Sequence, residues 1–293
     1  MVVIWLVKYE SLVLRGMFTI RRGLKLNKFF NIGLSSLCFI SKDFDYALNF
    51  IASSGISLWE VVDDGLHFLD SNRIKRMLAL SSSLNMTLSL HAPYTSVNIS
   101  ASNYRARRFS MDMYRESVEH AHQLGCKFIV FHPGLLDSFT YLFRDLNEPI
   151  LDGINFLLSI GDLCSDYGIT PLIENLATDR STILKVEDFK SFFSKSNSFK
   201  MALDISHAHV MNFFNSYIDS LRDRIAYFHI SGNDGLADRH WPLDMGTPFW
   251  KDYLKRVFNC NLSGPLIIEN LSYSASLKSL NVLKLFFGSE VST

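Results

Sequence analysis

The chain has 293 residues, 48% apolar and 20% charged, with 29 bases matched by 29 acids. The match is uneven: residues 1–28 hold six bases (Lys8, Arg15, Arg21, Arg22, Lys25, Lys28) and the single acid Glu10, which leaves 23 bases against 28 acids from residue 29 onward. An acidic body is poorly suited to gripping a polyanion by counterion release, and no run approaches the ~20 apolar residues of a membrane span.

Residues 1–28 read as a weakly ordered N-terminal extension. The opening "MVVIWLV" is too short for the apolar core of a signal peptide, has no base before it and lacks a small-residue cleavage site. Met17 is an alternative start. From residue 29 to 293 the pattern is strand, turn and helix, repeated. Apolar runs of strand length fall at about 31–39, 56–62, 86–91, 127–132, 169–174, 199–205, 225–230 and 265–270. They are near-continuous in Val, Ile, Leu and Phe, as parallel strands covered by helices require. Helical spacing appears between them, with Ile150, Ile154 and Leu158 on one face of 149–167. A looser stripe of Phe109, Met113, Val118, Ala121 and Leu124 runs through 103–124. Gly125, Gly168 and Gly264 sit where a helix must stop before the next strand. Eight such units in about 265 residues predict an α/β fold, a single-domain (β/α)8 TIM barrel. Cys38, Cys126, Cys164 and Cys260 are scattered with no Cys-x-x-Cys pair, which predicts neutral thiols in a reducing, cytoplasmic setting.

Most of the apolar runs end in a residue able to bind metal: Glu60, His91, His132, Glu174, Asp204, His229 and Glu269. A doubly wound open sheet has no use for such residues at nearly every strand end, whereas in a barrel all eight ends share one mouth. Glu174, Asp204, His229 and Glu269, from the last four strands, form the first candidate set. Three hard carboxylates with one imidazole suit Mn, Mg, Co or Zn and leave room for two substrate oxygens. A single strand-end acid is usually a helix cap or an ion-pair partner, but four converging ones need a cation or basic side chains. The second set is His91, His132, His207, Asp238 and His240. Each alone reads as a satisfied mouth histidine or a solvated loop residue; together they are expected to contact metal or substrate. His209, His120, His122 and His67 fit no strand-end pattern and read as structural or surface residues. Arg105, Arg107 and Arg108 form a basic cluster that reads either as a phosphate contact or as a solvated helix start.

The stretches "HAPYTSVNISASN", "FHPG", "IEN", "ALDISHAH", "FHISGNDG…DRHWPLDMG" and "IIEN" resemble the xylose isomerase-like TIM-barrel superfamily over about 30–290. That superfamily includes sugar and sugar-phosphate isomerases and epimerases, and the endonuclease IV class of abasic-site (AP) endonucleases, AP endonuclease family 2. In the isomerases the resemblance implies one divalent metal on Glu174, Asp204, His229 and Glu269, with Glu174 and Glu269 moving a proton on and off carbon. In the endonuclease branch it implies three zincs, with His91, His132, His207, Asp238 and His240 joining as further ligands. Three departures point away from DNA repair. Asn98 lies four residues after Tyr94 rather than three, and the step from His229 to Asp238 is only nine residues. The lysine that follows the endonuclease "HxND" motif also has no match. The expected function is therefore a metal-dependent isomerase or epimerase of a sugar or sugar phosphate. His207, Arg239, Tyr94 and Asn98 would contact substrate. An endonuclease IV-like zinc phosphodiesterase, with nucleic acid as partner, is the alternative. A non-catalytic binding barrel is a third class, disfavoured by the intact acid set.

Overall fold

The computed structural model describes residues 30–143 and 147–290, so the extension expected over 1–28 lies outside the described residues. Eight parallel strands close into a barrel in chain order. They are β1 (Phe30–Ser35), β2 (Leu58–Val62), β3 (Thr87–His91), β4 (Phe128–Phe131), β5 (Thr170–Glu174), β6 (Lys200–Asp204), β7 (Ile225–Ile230) and β8 (Gly264–Ile268). The first predicted run was too long. The chain leaves β1 at Ser35, whose Oγ accepts from the Leu37 N–H and caps a 3-10 turn over Ser36–Phe39. Gly125 and Gly168 take φ of +67° and +70°, the left-handed turns that end helices before β4 and β5.

Two helix faces differ from the sequence pattern. In the helix Tyr104–Gln123, Phe109 is 61% exposed, and the buried face is Arg107, Ser110, Met111, Tyr114, Ser117, Val118 and Ala121. In the helix Glu148–Asp166, the stripe Ile150, Ile154 and Leu158 is only half-buried. There the chain is drawn in along its glycines: a Cβ on Gly153 would lie 2.3 Å from Ser100 Oγ, and one on Gly161 would lie 2.9 Å from Phe199. Phe156, Leu157, Ile160 and Cys164 are buried beside them. Cys38, Cys126 and Cys164 are buried, and burial pushes each thiol up to about 12, so they are neutral. Among the described residues no helix is long and apolar enough to cross a membrane.

The period of two along each strand builds the mouth. Side chains facing out, such as Trp59, Ile129, Phe131, Ile173, Leu203 and Phe228, join the large core under the helices. Leu58, Val130, Leu172, Ala202, Tyr227 and Ile267 form a separate cluster that fills the barrel. Two residues further on, within the strands or one residue past their ends, stand Glu60, His132, Glu174, Asp204, His229 and Glu269. An apolar plug is thus topped by a layer of ionisable groups. Gly33 on β1 leaves room for the plug: a Cβ there would lie 2.6 Å from Leu58 Cγ, 2.8 Å from the Leu58 carbonyl oxygen and 2.8 Å from Ile267 Cδ1. Gly33→Val is expected to lower the unfolding free energy by ~1–3 kcal/mol through overpacking, read from the urea midpoint.

Candidate metal centre at the barrel mouth

Glu174 closes β5, and Asp204 closes β6 while capping the next helix, its Oδ1 accepting from the His207 N–H at 2.6 Å. His229 lies one residue from the end of β7, and Glu269 follows β8, its N–H donating to the Ile230 carbonyl at 3.0 Å. All four are buried, and their donor atoms lie within 4.8 Å of one another. His229 Nδ1 is 2.9 Å from Glu174 Oε1 and 3.7 Å from Glu269 Oε2. The second set forms two further groups on the same spacing: His91, His132 and Glu174, and His207, Asp238 and His240. His91 Nε2 and His132 Nε2 approach Glu174 Oε2 at 3.3 and 3.0 Å. His207 Nε2 and His240 Nε2 approach Asp238 Oδ2 at 3.2 and 2.9 Å. Glu174 is shared between two groups.

The rings are held from behind. His91 Nδ1 donates to the Ala92 carbonyl at 2.8 Å, His207 Nδ1 to Asn175 at 2.9 Å and His240 Nδ1 to Glu269 at 3.0 Å. A carbonyl only accepts, so Nδ1 carries the proton in these three and Nε2 is turned to the carboxylates. This is the arrangement by which ligating imidazoles are oriented. The two "IEN" motifs do related work. Each Glu faces the mouth and each Asn ties down the neighbouring chain. Asn175 exchanges two hydrogen bonds with the Asp204 backbone, both 2.9 Å. Asn270 donates to the His240 and Trp241 carbonyls at 3.1 and 2.6 Å. The loop that carries Asp238 and His240 is folded back by paired Gly232–Trp241 hydrogen bonds, and His240 itself sits at φ +49°.

Burial alone would raise every carboxylate here, and the balance of neighbours decides the outcome. His229, with hydrogen bonds from His132, His229 and His91, overcomes burial at Glu174 and holds it well below the usual range. At Glu269, burial with the nearby charges of Glu60 and Glu174 outweighs His229 and lifts the group to about 7. Burial opposes the imidazolium forms, yet Glu174 and Glu60 lift His91 to about 9 and Asp238 lifts His240 to about 9. His207 and His229 are pushed well above the ordinary value by their carboxylates, while burial keeps His132 below it. Protons on the imidazoles thus offset a knot of buried acids. A divalent cation fits the same donor set: oxygens and imidazoles converge from several strands, and the ring nitrogens that face the acids are those a cation would deprotonate.

A family model described as "Xylose isomerase-like TIM barrel" matches residues 48–283. The chain belongs to the xylose isomerase-like TIM-barrel family. Among solved structures it is similar to a D-tagatose 3-epimerase-like protein, with TM-score 0.79 and 25% identity over 89% of this chain and 99% of that one. Among curated proteins it is 27% identical over 262 residues to the uncharacterized protein MJ1311 of Methanocaldococcus jannaschii, covering 86% of this chain and 87% of that protein. It is 22% identical over 209 residues to the fructoselysine 3-epimerase of Shigella flexneri, covering 69% and 74% respectively.

Within this family member the remaining candidates go to different places. Tyr94 is half-buried beside His91 and His132, with ring centroids 5.4 and 5.3 Å away, on a loop held by Asp64 Oδ2 through the Tyr94 and Thr95 N–H groups. Asn98 uses its amide on the backbone: Oδ1 accepts from Ser100 and Leu135, and Nδ2 donates to the Leu135 carbonyl. It holds the loop after β4 rather than presenting a free amide. Arg239 is exposed and paired with Asp234 at 3.1 Å. The basic cluster is dispersed, because Arg107 is buried between the Ala101 carbonyl, Glu148 and Asp152. His120 pairs with Asp63, His67 lies against the Lys42 carbonyl, and His209 and His122 stack on Phe249 and Tyr167. Glu60, the acid that ends β2's apolar run in the sequence, lies outside both candidate sets, yet its Oε2 is 3.0 Å from His229 Nε2.

The pH dependence follows from His91 and His240. Their folded values of about 9 lie above the ordinary 6.5, so their ion pairs contribute fully below about 6.5 and are lost as pH rises through about 9. Chelator-treated protein is therefore expected to lose thermal stability between pH 7 and 9. Protein saturated with Mn²⁺ should lose less, since a bound cation favours the neutral rings. Thermal melts at each pH, with and without chelator, check this.

Proposed function

We propose that this chain is a divalent-metal-dependent sugar isomerase or epimerase working by proton transfer next to a carbonyl. The observation that supports it best is the pair Glu174 and Glu269, which come from β5 and β8 and are gathered with Asp204 and His229 into one buried group. Glu174, Asp204, His229 and Glu269 would hold the cation. When bound it would supply Lewis acidity to adjacent hydroxyl and carbonyl oxygens of a sugar, which acidifies the C–H between them. The protein's own groups then divide the work. Glu174 is held by the imidazoles of His91, His132 and His229, whereas Glu269 meets His229 at 3.7 Å and is held less tightly. Two carboxylates that reach one site from β5 and β8 can act as base and acid toward a carbon between them. His207 and Tyr94 would bound the substrate. The likeness to a D-tagatose 3-epimerase-like protein and to fructoselysine 3-epimerase agrees with this chemistry. Since Arg107 is spent in buried ion pairs, unphosphorylated ketoses are the first substrates to test.

A second reading has a specific observation behind it. The groups of His91, His132 and Glu174 and of His207, Asp238 and His240 offer two more places for a cation, as a multinuclear zinc phosphodiesterase would need. It expects zinc-dependent cleavage of abasic DNA or an aryl phosphodiester that is lost in His91→Ala and in His240→Ala.

For the preferred reading, Mn²⁺-loaded protein incubated with ketohexoses in D2O should place deuterium on the carbon beside the carbonyl, seen by NMR. Glu174→Gln and Glu269→Gln should each slow exchange by ~10²-fold or more. Absence of exchange across a broad ketose panel counts against it.

A further inference from the structure

Resting on the metal-centre reading above, we infer that Glu60 is a positioning residue for that centre: its carboxylate fixes which nitrogen of His229 faces Glu174, Asp204 and Glu269. Glu60 lies on β2, across the barrel from β7, and is fully buried. Its Oε2 meets His229 Nε2 at 3.0 Å and accepts the Tyr227 hydroxyl at 2.9 Å. That hydroxyl lies 2.7 Å from Ser89 Oγ on β3. Tyr227 precedes His229 by two residues on β7, so one strand supplies both the ring and a donor that holds its partner.

The contrast with the other imidazoles gives Glu60 its role. His91, His207 and His240 are each held through Nδ1 by a backbone carbonyl and turn Nε2 toward the acids. His229 is reversed. It turns Nδ1 toward Glu174 and is held through Nε2 by the Glu60 carboxylate. A ring between carboxylates on both sides has no built-in preference for one tautomer. Once a cation takes the Nδ1 side, the remaining proton must sit on Nε2, and Glu60 is the group that accepts it. An anionic partner also raises the donor strength of the imidazole more than a carbonyl does. Glu60 is no member of the four-residue group itself, since its contact is with the far nitrogen of the ring.

A purely structural account fits this residue badly. Glu60 Oε1 is buried and has no hydrogen-bond partner among the described residues. An unpaired carboxylate oxygen inside a barrel is costly, and an apolar residue joined to the plug below would hold β2 to β7 more cheaply. The charge is kept where Oε2 meets the His229 ring and the Tyr227 hydroxyl of the same strand.

Mn²⁺ binding to the full chain, followed by electron paramagnetic resonance, tests this with wild type, Glu60→Gln and Tyr227→Phe. Glu60→Gln keeps the shape and removes the charge. It should raise the dissociation constant ~10–100-fold, while the metal-free protein melts no lower than wild type. Tyr227→Phe, which removes one of the two donors to Oε2, should shift affinity the same way by less. Wild-type affinity in Glu60→Gln overturns the inference and leaves the metal centre standing, and a lowered metal-free melting point with unchanged affinity marks Glu60 as a strand tie only. Should Glu60→Gln not fold, Tyr227→Phe decides: weakened binding supports the inference and unchanged binding overturns it. Wild-type protein that binds no Mn²⁺ removes the metal centre itself.

Discussion

Buried negative charge around one imidazole is the constraint on which the mouth of this barrel depends. Glu60, Glu174 and Glu269 all act on His229, which has no exposure to solvent, and Asp204 stands beside them. Below them the barrel is filled by Leu58, Val130, Leu172, Ala202, Tyr227 and Ile267, so little solvent is available to screen the charges from that side. Such a knot persists only with protons on the imidazoles or with a cation among them. A proton and a cation would compete for the same nitrogens, which would couple acidity, stability and metal affinity in one cluster.

The geometry around that knot comes from ordinary backbone chemistry. Parallel strands give a strict alternation, so a residue two positions past a plug residue must face the mouth. The asparagines after Glu174 and Glu269 then tie neighbouring chain ends with their amides, which fixes the carboxylates without adding charge. The loop after β7 brings Asp238 and His240 back over the opening, held by Gly232 pairing with Trp241 and by the close approach at Gly246, where a Cβ would lie 2.2 Å from the Asn233 carbonyl.

Much of this was legible in the residues. Near-continuous apolar runs broken by Gly125 and Gly168 give the parallel barrel, and metal-competent residues at the strand ends give the mouth, because both signals are local and periodic. What failed was non-local. Phe109 carries a core residue's chemistry but lies on the outer side of its helix, since Arg107 occupies the inner side with partners Glu148 and Asp152 from another helix. Asn98, expected at the substrate, has an amide engaged by the Leu135 backbone, a partner that arrives from the loop after β4. Glu60 ended a run like its neighbours, yet its purpose appears only when β7 closes across the barrel and His229 turns its far nitrogen to it. The inward alternation Leu58–Glu60, matched to Tyr227–His229, was the signal that could have found it.

The most direct test is elemental analysis of the full chain purified without chelator or added metal, alongside an Asp204→Asn, Glu269→Gln double variant. The account predicts close to one divalent ion per chain in the wild type and loss of that ion in the variant. Wild-type protein that carries no divalent metal, and takes none up on dialysis against Mn²⁺ or Zn²⁺, would contradict it.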